Sequence, residues 1–161
     1  MNRDIIYKEL VQLDVSVNSA GELFALMADK LQKLGYIKEG FLEAILKREE
    51  SYPTALPIEP YPVAIPHTDP QCIIKPFVAC IRLKQAVPWR EMAANETIHQ
   101  VRFVFMLGFK EADAGDSHVE LLQILVTNLQ KRELMERMAE AKTAEEYWDL
   151  VMTMEGLEKT V

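Results

Sequence analysis

Two stretches of the chain are hydrophobic at almost every position and predict strands that are buried on both faces. They are residues 77–83 (FVACIRL) and 101–107 (VRFVFML), each interrupted by one arginine. A strand with one solvent-exposed face alternates apolar and polar residues, whereas a strand covered on both faces stays apolar. A mixed pattern over residues 7–17 predicts a first strand around residues 10–13. Residues 89–92 are predicted to form a short turn or helical piece.

Helical spacing of apolar residues predicts the elements between and after these strands. Leucine and methionine recur every three to four positions between Leu23 and Leu34, and Gly35 stands where such a helix would end. A helix that begins near Ser117 and reaches Leu129 is apolar most of the way round, which is typical of a well-buried helix. Further helices are predicted over residues 39–49, 132–141 and 143–154. The helix over 39–49 is expected to turn Phe41, Leu42, Ile45 and Leu46 inward.

Three of the predicted helices start with a capping-box pattern, in which a hydroxyl residue precedes a glutamate by three positions. The pairs are Ser19 with Glu22, Ser117 with Glu120 and Thr143 with Glu146. Alternation of helices with strands that are apolar on both faces predicts an α/β fold, a mixed and mostly parallel sheet with helices on both faces. We expect one domain over residues 1–161, with its core at about 7–154.

A proline-rich loop leads into a histidine that is held between two prolines. Residues 50–62 contain four prolines and predict an irregular connection of a length that is often functional. The stretch that follows, residues 61–70 (YPVAIPHTDP), reads as a short strand that Pro66 stops, because proline has no backbone N–H to give to a sheet. Pro70 stiffens the far side of the turn. The imidazole of His67 is therefore presented at the end of a strand with little freedom.

Composition narrows the function classes. Eighteen basic and twenty-five acidic residues give a net charge of −7, which makes a nucleic-acid backbone an unfavourable main partner. No apolar run approaches the roughly 20 residues that cross a bilayer, and the first residues lack the apolar core of a signal peptide. The spacing of Cys72 and Cys80 is not that of a metal site, and we expect both to be free thiols in a cytoplasmic protein.

The three histidines differ in what their surroundings predict. His99 stands in a polar segment and reads as a solvated residue at a strand edge. His118 occupies the first turn of the helix that Ser117 caps, where free N–H groups and the helix dipole favour anions. Taken on its own, an ordinary first-turn residue is the simpler interpretation, and the anion site gains weight only if His67 lies close to it. His67 lies where covered α/β sheets bind ligands, and it is either functional or a turn residue bonded to nearby backbone.

Several chemistries remain open for His67, which can be a metal ligand, a proton shuttle or a nucleophile. A zinc-dependent hydrolase would use the mixed ligand set His67, Asp69, Asp116 and His118, without a compact ligand motif to support it. No serine lies in a Gly-x-Ser-x-Gly setting, and neither glycine-rich nucleotide-binding motif is present. The use of histidine as a carrier of a group is the remaining interpretation.

Several motifs resemble those of a known family. Residues 64–67 (AIPH) resemble the phosphorylation-site signature of the sugar-specific IIA components of the phosphotransferase system, in the fructose/mannitol (type 2) superfamily. Arg48-Glu49 and Pro53-Thr54 resemble the Arg-Glu and Pro-Thr segment that precedes the active histidine there, and His118 matches the second active-site histidine. The resemblance extends over about residues 7–154.

Finer features resemble one branch of that superfamily. Thr68-Asp69 replaces the small residue that usually follows the histidine, and it resembles the galactitol-type branch. Residues 87–92 (VPWREM) and 105–107 (FML) are similar to the same branch. The resemblance therefore implies a galactitol or a related polyol system.

The resemblance implies a phosphocarrier, that is, a protein-to-protein phosphotransferase. A phosphoryl group would come from the carrier HPr, rest on Nε2 of His67 and pass to a cysteine or histidine of a IIB component, which serves a membrane IIC component. The site implied for the phosphoryl group consists of His118, Arg48, Ser117 and the hydroxyl of Thr54. The other ring nitrogen of His67 would donate to a backbone carbonyl, and neither a metal nor a cofactor is required. The alternative is a regulatory module of the same family, whose phosphorylation state is read by a partner protein.

Overall fold

The computed structural model describes residues 3–110 and 116–157, and at residues 3 and 116–118 it describes the backbone alone. The strands are β1 (Gln12–Val15), β2 (Ala55–Leu56), β3 (Val63–Ala64), β4 (Phe77–Glu91) and β5 (Ala94–Gly108). The helices are α1 (Ala20–Lys33), α2 (Phe41–Ser51), α3 (Asp116–Leu129), α4 (Arg132–Glu140) and α5 (Ala144–Met152). None of the helices in this described part is both long and apolar enough to cross a bilayer.

The sheet is mixed, and the hairpin of β4 and β5 is its centre. These two long strands pair antiparallel from Phe77 opposite Gly108 to Glu91 opposite Ala94. On one side β1 pairs parallel with β4, and on the other β3 pairs parallel with β5. β2 pairs antiparallel with β3, and its Ala55 also pairs with Glu91 of β4. The predicted α/β class and mixed sheet are confirmed, although the longest pairing is antiparallel.

Side chains of β4 and β5 alternate between two separate hydrophobic layers, which confirms strands buried on both faces. One layer takes Val78 and Cys80 together with residues of α3, α4 and α5. The other takes Phe77 and Ala79 together with residues of α1 and α2. Because successive side chains of a strand point to opposite faces, a run that is apolar at every position supplies both layers at once.

The prediction of a turn or helical piece at residues 89–92 is wrong. Trp89 lies within β4 opposite His99, and the chain reverses only at Met92 and Ala93. Buried Val87 and Trp89 alternate here with exposed Pro88, which is the pattern of a strand with one covered face. The facing part of β5 is polar, so no apolar run marks this half of the hairpin in the sequence.

Two of the three predicted capping boxes form. In each, the glutamate carboxylate accepts from the backbone N–H of the residue before the N-cap instead of from the N-cap residue itself. Ser19 Oγ accepts from the backbone N–H of Glu22, whose carboxylate accepts from the N–H of Asn18. Thr143 Oγ1 accepts in the same way from Glu146, whose carboxylate accepts from the N–H of Lys142. The third box lies at the start of α3, where the side chains of residues 116–118 are outside the described part.

Two buried polar side chains connect elements of the α3–α5 layer. Arg82 of β4 donates from Nη1 to the carbonyl oxygen of Ala141 at 2.6 Å and from Nη2 to Asp14 at 3.0 Å. Asn128 of α3 donates to the carbonyl oxygen of Glu155 at 2.9 Å and accepts from the backbone N–H of the same residue. Arg82 thereby satisfies a carbonyl oxygen at the end of α4, and Asn128 binds the backbone just beyond the end of α5.

The two cysteines are free thiols, as expected. Cys80 is fully buried in β4, and this burial raises the pKa of its thiol to about 12. Cys72 ends a short 3-10 helix (Pro70–Cys72), is half-buried and lies with Sγ 3.9 Å from the carbonyl oxygen of Glu39. The two thiols therefore occupy very different environments.

Gly108 is required by close packing rather than by its backbone conformation. A Cβ atom there would lie 2.3 Å from the ring of Phe77, which is fully buried and faces Gly108 across the hairpin. We expect Gly108→Ala to lower the free energy of unfolding by about 1–3 kcal/mol through overpacking. Gly21→Ala is the matched control, because its Cβ would lie 3.5 Å from Leu46 and alanine favours a helix by up to about 1 kcal/mol. Urea unfolding of both variants measures the difference, and a Gly108→Ala protein as stable as the Gly21→Ala protein would contradict the packing argument.

Candidate functional site

His67 stands just beyond the carboxyl end of β3, as the two prolines predict. The carbonyl oxygen of Pro66 accepts from the backbone N–H of Leu107 in β5 at 3.0 Å, which continues the β3–β5 pairing by one bond past the strand. The carboxyl ends of parallel strands are where α/β sheets generally hold ligands. The half-buried imidazole is therefore presented at that edge of the sheet.

The imidazole is oriented by a hydrogen bond to its own backbone. Nδ1 of His67 lies 2.8 Å from the carbonyl oxygen of Ile65. A carbonyl oxygen can only accept, so Nδ1 carries the proton, and in the neutral ring Nε2 is left with the lone pair. This is the contact implied by the resemblance for the nitrogen that does not take the phosphoryl group.

The pKa of His67 is lowered from its ordinary value, chiefly because burial disfavours the charged ring. The positive charge of Arg48 lowers it further, while the bond to Ile65 and the carboxylate of Asp69 act in the opposite direction. At neutral pH the ring is therefore uncharged. An uncharged imidazole with its lone pair on Nε2 is a nucleophile.

Arg48 comes to this site from the last turn of α2. Its guanidinium carbon lies 4.5 Å from the ring centre of Tyr52, which is largely exposed. Stacking of this kind holds a guanidinium in place while its N–H groups remain available to bind an anion. Arg48 and His67, which come from different elements, are thus close enough for the charge of Arg48 to act on the imidazole.

Glu49 is the site residue that the hydrophobic pattern failed to single out. The buried stripe of α2 is Phe41, Ile45 and Glu49, whereas Leu46, which was expected to face inward, is 41% exposed. A spacing of four residues from Phe41 through Ile45 leads directly to Glu49. In the sequence, the available signal for a buried carboxylate was therefore a glutamate at the next position of the buried stripe.

The carboxylate of Glu49 collects donors from two other elements. It accepts from the backbone N–H of Thr54 at 3.1 Å, from the hydroxyl of Thr54 at 2.9 Å and from the indole N–H of Trp89. Burial raises the pKa of this carboxyl, and the hydrogen bonds from Thr54 and Trp89 partly offset that effect. The hydroxyl of Thr54, which is 2% exposed, thus donates to Glu49, a contact different from the phosphoryl contact expected from the sequence.

The predictions for the other two histidines compare differently with the structure. His99 lies within β5 rather than at a strand edge and is half-buried, with Nε2 2.7 Å from a carboxylate oxygen of Glu91. His118 and Ser117 fall in the first turn of α3, as expected, and their side chains lie outside the described residues. Their predicted roles around the phosphoryl group stay predictions.

The metal-dependent alternative gains no support from the side chains that the structure describes. Among these there is no cluster of three or more histidine, cysteine or acidic residues with the spacing of a metal site. Asp116 and His118, two of the four candidate ligands, lie outside that set. His67 and Asp69 alone do not make a metal site.

The fold and the site define a class of protein, an α/β domain that presents a neutral histidine beside an arginine at the end of a parallel strand pair. Residues 4–153 match the family described as "Phosphoenolpyruvate-dependent sugar phosphotransferase system, EIIA 2". The chain belongs to this family, whose members transfer phosphoryl groups. It is 27% identical over 144 residues to the PTS system 2-O-alpha-mannosyl-D-glycerate-specific EIIABC component of Escherichia coli (strain K12), covering 88% of this chain and 21% of that protein. It therefore spans about a fifth of the length of this curated relative.

Solved structures share the fold at low sequence identity. The nitrogen regulatory protein IIA-Ntr from Neisseria meningitidis has a TM-score of 0.75 at 24% identity, with 92% of this chain and 97% of that chain covered. Enzyme IIAMtl from Escherichia coli, in its complex with phosphorylated IIBMtl, has a TM-score of 0.72 at 21% identity, with 90% and 95% covered. The predicted architecture of type 2 IIA proteins is thereby confirmed.

We expect His67 to titrate below the ordinary histidine value of about 6.5 and to be protonated on Nδ1 when neutral. Long-range ¹H–¹⁵N correlation spectra across a pH series report both the tautomer and the titration midpoint. Because the folded pKa lies below the unfolded one, the unfolded chain binds the proton more readily, and stability should fall as the pH drops below about 6.5.

The variant His67→Gln is the control for this pH dependence. It should remove this contribution to the slope of stability against pH between the two titration midpoints. A midpoint above 6.5, or a neutral ring protonated on Nε2, would contradict the described environment of His67.

Proposed function

We propose that this protein is a phosphocarrier in which His67 accepts a phosphoryl group from phospho-HPr on Nε2 and passes it to a IIB component. The observation that carries the proposal is the hydrogen bond from Nδ1 of His67 to the carbonyl oxygen of Ile65. It leaves the lone pair of the neutral ring on Nε2, and the lowered pKa keeps the ring neutral at physiological pH. Membership of the EIIA 2 family supports the same reaction.

The chemistry is an exchange of one P–N bond for another. The bond between phosphorus and the donor's histidine breaks as the bond to Nε2 of His67 forms, and the bonding electron pair stays with the donor ring. Nδ1 of His67 keeps its proton throughout, held by Ile65. On onward transfer the Nε2–P bond breaks, its electrons return to Nε2, and the phosphoryl group moves to a cysteine or histidine of the IIB component.

Phosphoryl transfer of this kind needs positioning and stabilisation of negative charge more than covalent assistance. Arg48 supplies one positive charge on the side of α2. We assign the opposite side to the first turn of α3, where Ser117, His118 and free backbone N–H groups would meet the phosphoryl oxygens. No metal or cofactor takes part in this scheme.

A IIB partner is supported by the similarity to IIAMtl, which was solved in complex with phosphorylated IIBMtl. For the sugar, the sequence Thr68-Asp69 after the histidine favours a galactitol-type system over a fructose or mannitol type. Phosphotransfer to a panel of purified IIB proteins decides among these sugars.

A second candidate function is regulatory, with the phosphorylation state of His67 read by a partner protein rather than used for sugar uptake. The similarity to the nitrogen regulatory protein IIA-Ntr supports this alternative. The same site serves both functions. Rapid transfer to a IIB protein favours transport, whereas stable phosphorylation that is not discharged by any IIB protein favours regulation.

Incubation with phosphoenolpyruvate, enzyme I and HPr should place one acid-labile phosphoryl group on the wild-type protein and none on His67→Ala. His99→Ala is the matched control, because His99 already engages Glu91 and should leave labelling intact. Phosphate incorporation measured by intact-protein mass spectrometry tests this. A His67→Ala protein that is still labelled would remove His67 as the acceptor.

Replacing Arg48 should slow acceptance without abolishing it, because one positive charge beside the transferred group is lost. We expect Arg48→Ala to reduce kcat/KM for phospho-HPr about 10- to 100-fold, with Arg48→Lys in between. Arg132→Ala is the control, since Arg132 is an exposed residue of α4 and pairs only loosely with Glu136 at 3.8 Å. Rates equal to wild type for Arg48→Ala would exclude it from the site.

A further inference from the structure

We infer that Glu49 is a positioning residue for His67, acting through a continuous chain of hydrogen bonds that ends at the imidazole. The carboxylate of Glu49 accepts from the backbone N–H of Thr54. The carbonyl oxygen of Thr54 accepts from the N–H of Ile65 at 3.2 Å, and the carbonyl oxygen of Ile65 accepts from Nδ1 of His67 at 2.8 Å. For its effect on phosphoryl transfer the inference rests on the proposed function, whereas the orientation of the ring does not depend on it.

The residues that lead to the imidazole are shielded from water, and the imidazole itself is half-buried. Glu49 is 9% exposed, Thr54 2% and Ile65 1%. Hydrogen bonds between buried groups are not readily exchanged for bonds to solvent, so each link keeps the position of the next. A displacement at Glu49 is therefore passed on to Ile65 instead of being absorbed by water.

The carboxylate also joins three elements that meet behind the histidine. α2 carries it, Thr54 belongs to the segment that enters β2, and Trp89 belongs to the far half of β4. Arg90, next to Trp89, donates to the carbonyl oxygen of Glu50 at 2.7 Å and makes a second bond between the hairpin and α2. Glu49 thus fixes the proline-rich loop between the helix that carries Arg48 and the strand that ends at His67.

A carboxylate suits this position better than its amide. Three donors, two groups of Thr54 and the indole of Trp89, converge on its Oε1, and the hydroxyl of Thr54 also lies 2.9 Å from Oε2. A charged oxygen binds these donors more strongly than a neutral amide oxygen does. The amide of a glutamine has one acceptor oxygen and an NH₂ group that must itself find an acceptor. The Glu49→Gln side chain should therefore bind Thr54 and Trp89 more weakly, and the Glu49→Ala side chain cannot bind them at all.

The first measurement is the tautomer and titration of His67, which needs no phosphoryl donor. In ¹⁵N spectra of Glu49→Ala we expect the Nδ1-protonated form to lose its dominance. The titration midpoint should move up toward about 6.5, because burial is the larger effect on the pKa and its loss outweighs the loss of the bond to Ile65. Glu49→Gln should give a smaller change in the same direction. If both Glu49 variants fold and their His67 signals equal those of the wild type, the inference is overturned.

The second measurement is transfer from phospho-HPr. Glu49 is buried and does not face a docking partner, so the loss should appear in kcat, about tenfold or more for Glu49→Ala, with KM nearly unchanged. An effect on KM alone would overturn the positioning role. If the wild-type protein is not phosphorylated at all, the proposed function fails, while the tautomer measurement still decides the role of Glu49.

Asn128→Ala is the matched control for a purely structural effect. Asn128 is a fully buried polar residue whose partners are Ile124, Lys131 and Glu155, all in the opposite helical layer. It should lose stability but keep wild-type His67 signals and kcat. If Glu49→Ala does not fold, Thr54→Val and Trp89→Phe remove single donors to the carboxylate and should each shift the His67 tautomer in part. Wild-type signals in both would again overturn the inference.

Discussion

The hydrogen bond between His67 and Ile65 depends on the direction that the chain takes at Pro66. The bond spans two residues, so a small rotation of the backbone there would move the acceptor away from the ring. Pro66 restricts that rotation, and its carbonyl oxygen is bound to Leu107 of the adjacent strand. The proline thus ends β3 without detaching the chain from the sheet. The geometry of the His67 ring is in this way a property of the sheet edge as a whole.

The sheet can impose that geometry because its central hairpin is buried between two layers of helices. β4 and β5 supply both hydrophobic layers, and β3 pairs with one of them. Packing on both faces leaves the strand ends few alternative positions. Arg48, Glu49 and His67, which come from the end of a helix and the end of a strand, are therefore held by the same core.

The parts of the structure visible in the sequence are those with a local signal. Continuous apolar runs revealed the two buried strands, hydroxyl–glutamate pairs marked helix starts, and two prolines marked His67. The far half of the hairpin was not predicted, because Trp89 and His99 pair within a polar stretch. Their pairing leaves no periodic pattern in the sequence. Glu49 was named within the Arg-Glu motif, but its buried contacts were not predicted, since two of its donors come from Thr54 and the third from Trp89, which only folding brings to it.

The unequal burial of the two thiols has a practical consequence. With its pKa raised to about 12 and no exposed surface, Cys80 contributes almost no thiolate at neutral pH, and thiolate is the form that alkylating reagents attack. Cys72, half-buried and five residues beyond His67, is the accessible sulfur. A maleimide dye or a trifluoromethyl tag would thus attach at one native position, close in the sequence to His67. The protein can carry a spectroscopic reporter of partner docking without any change to its sequence.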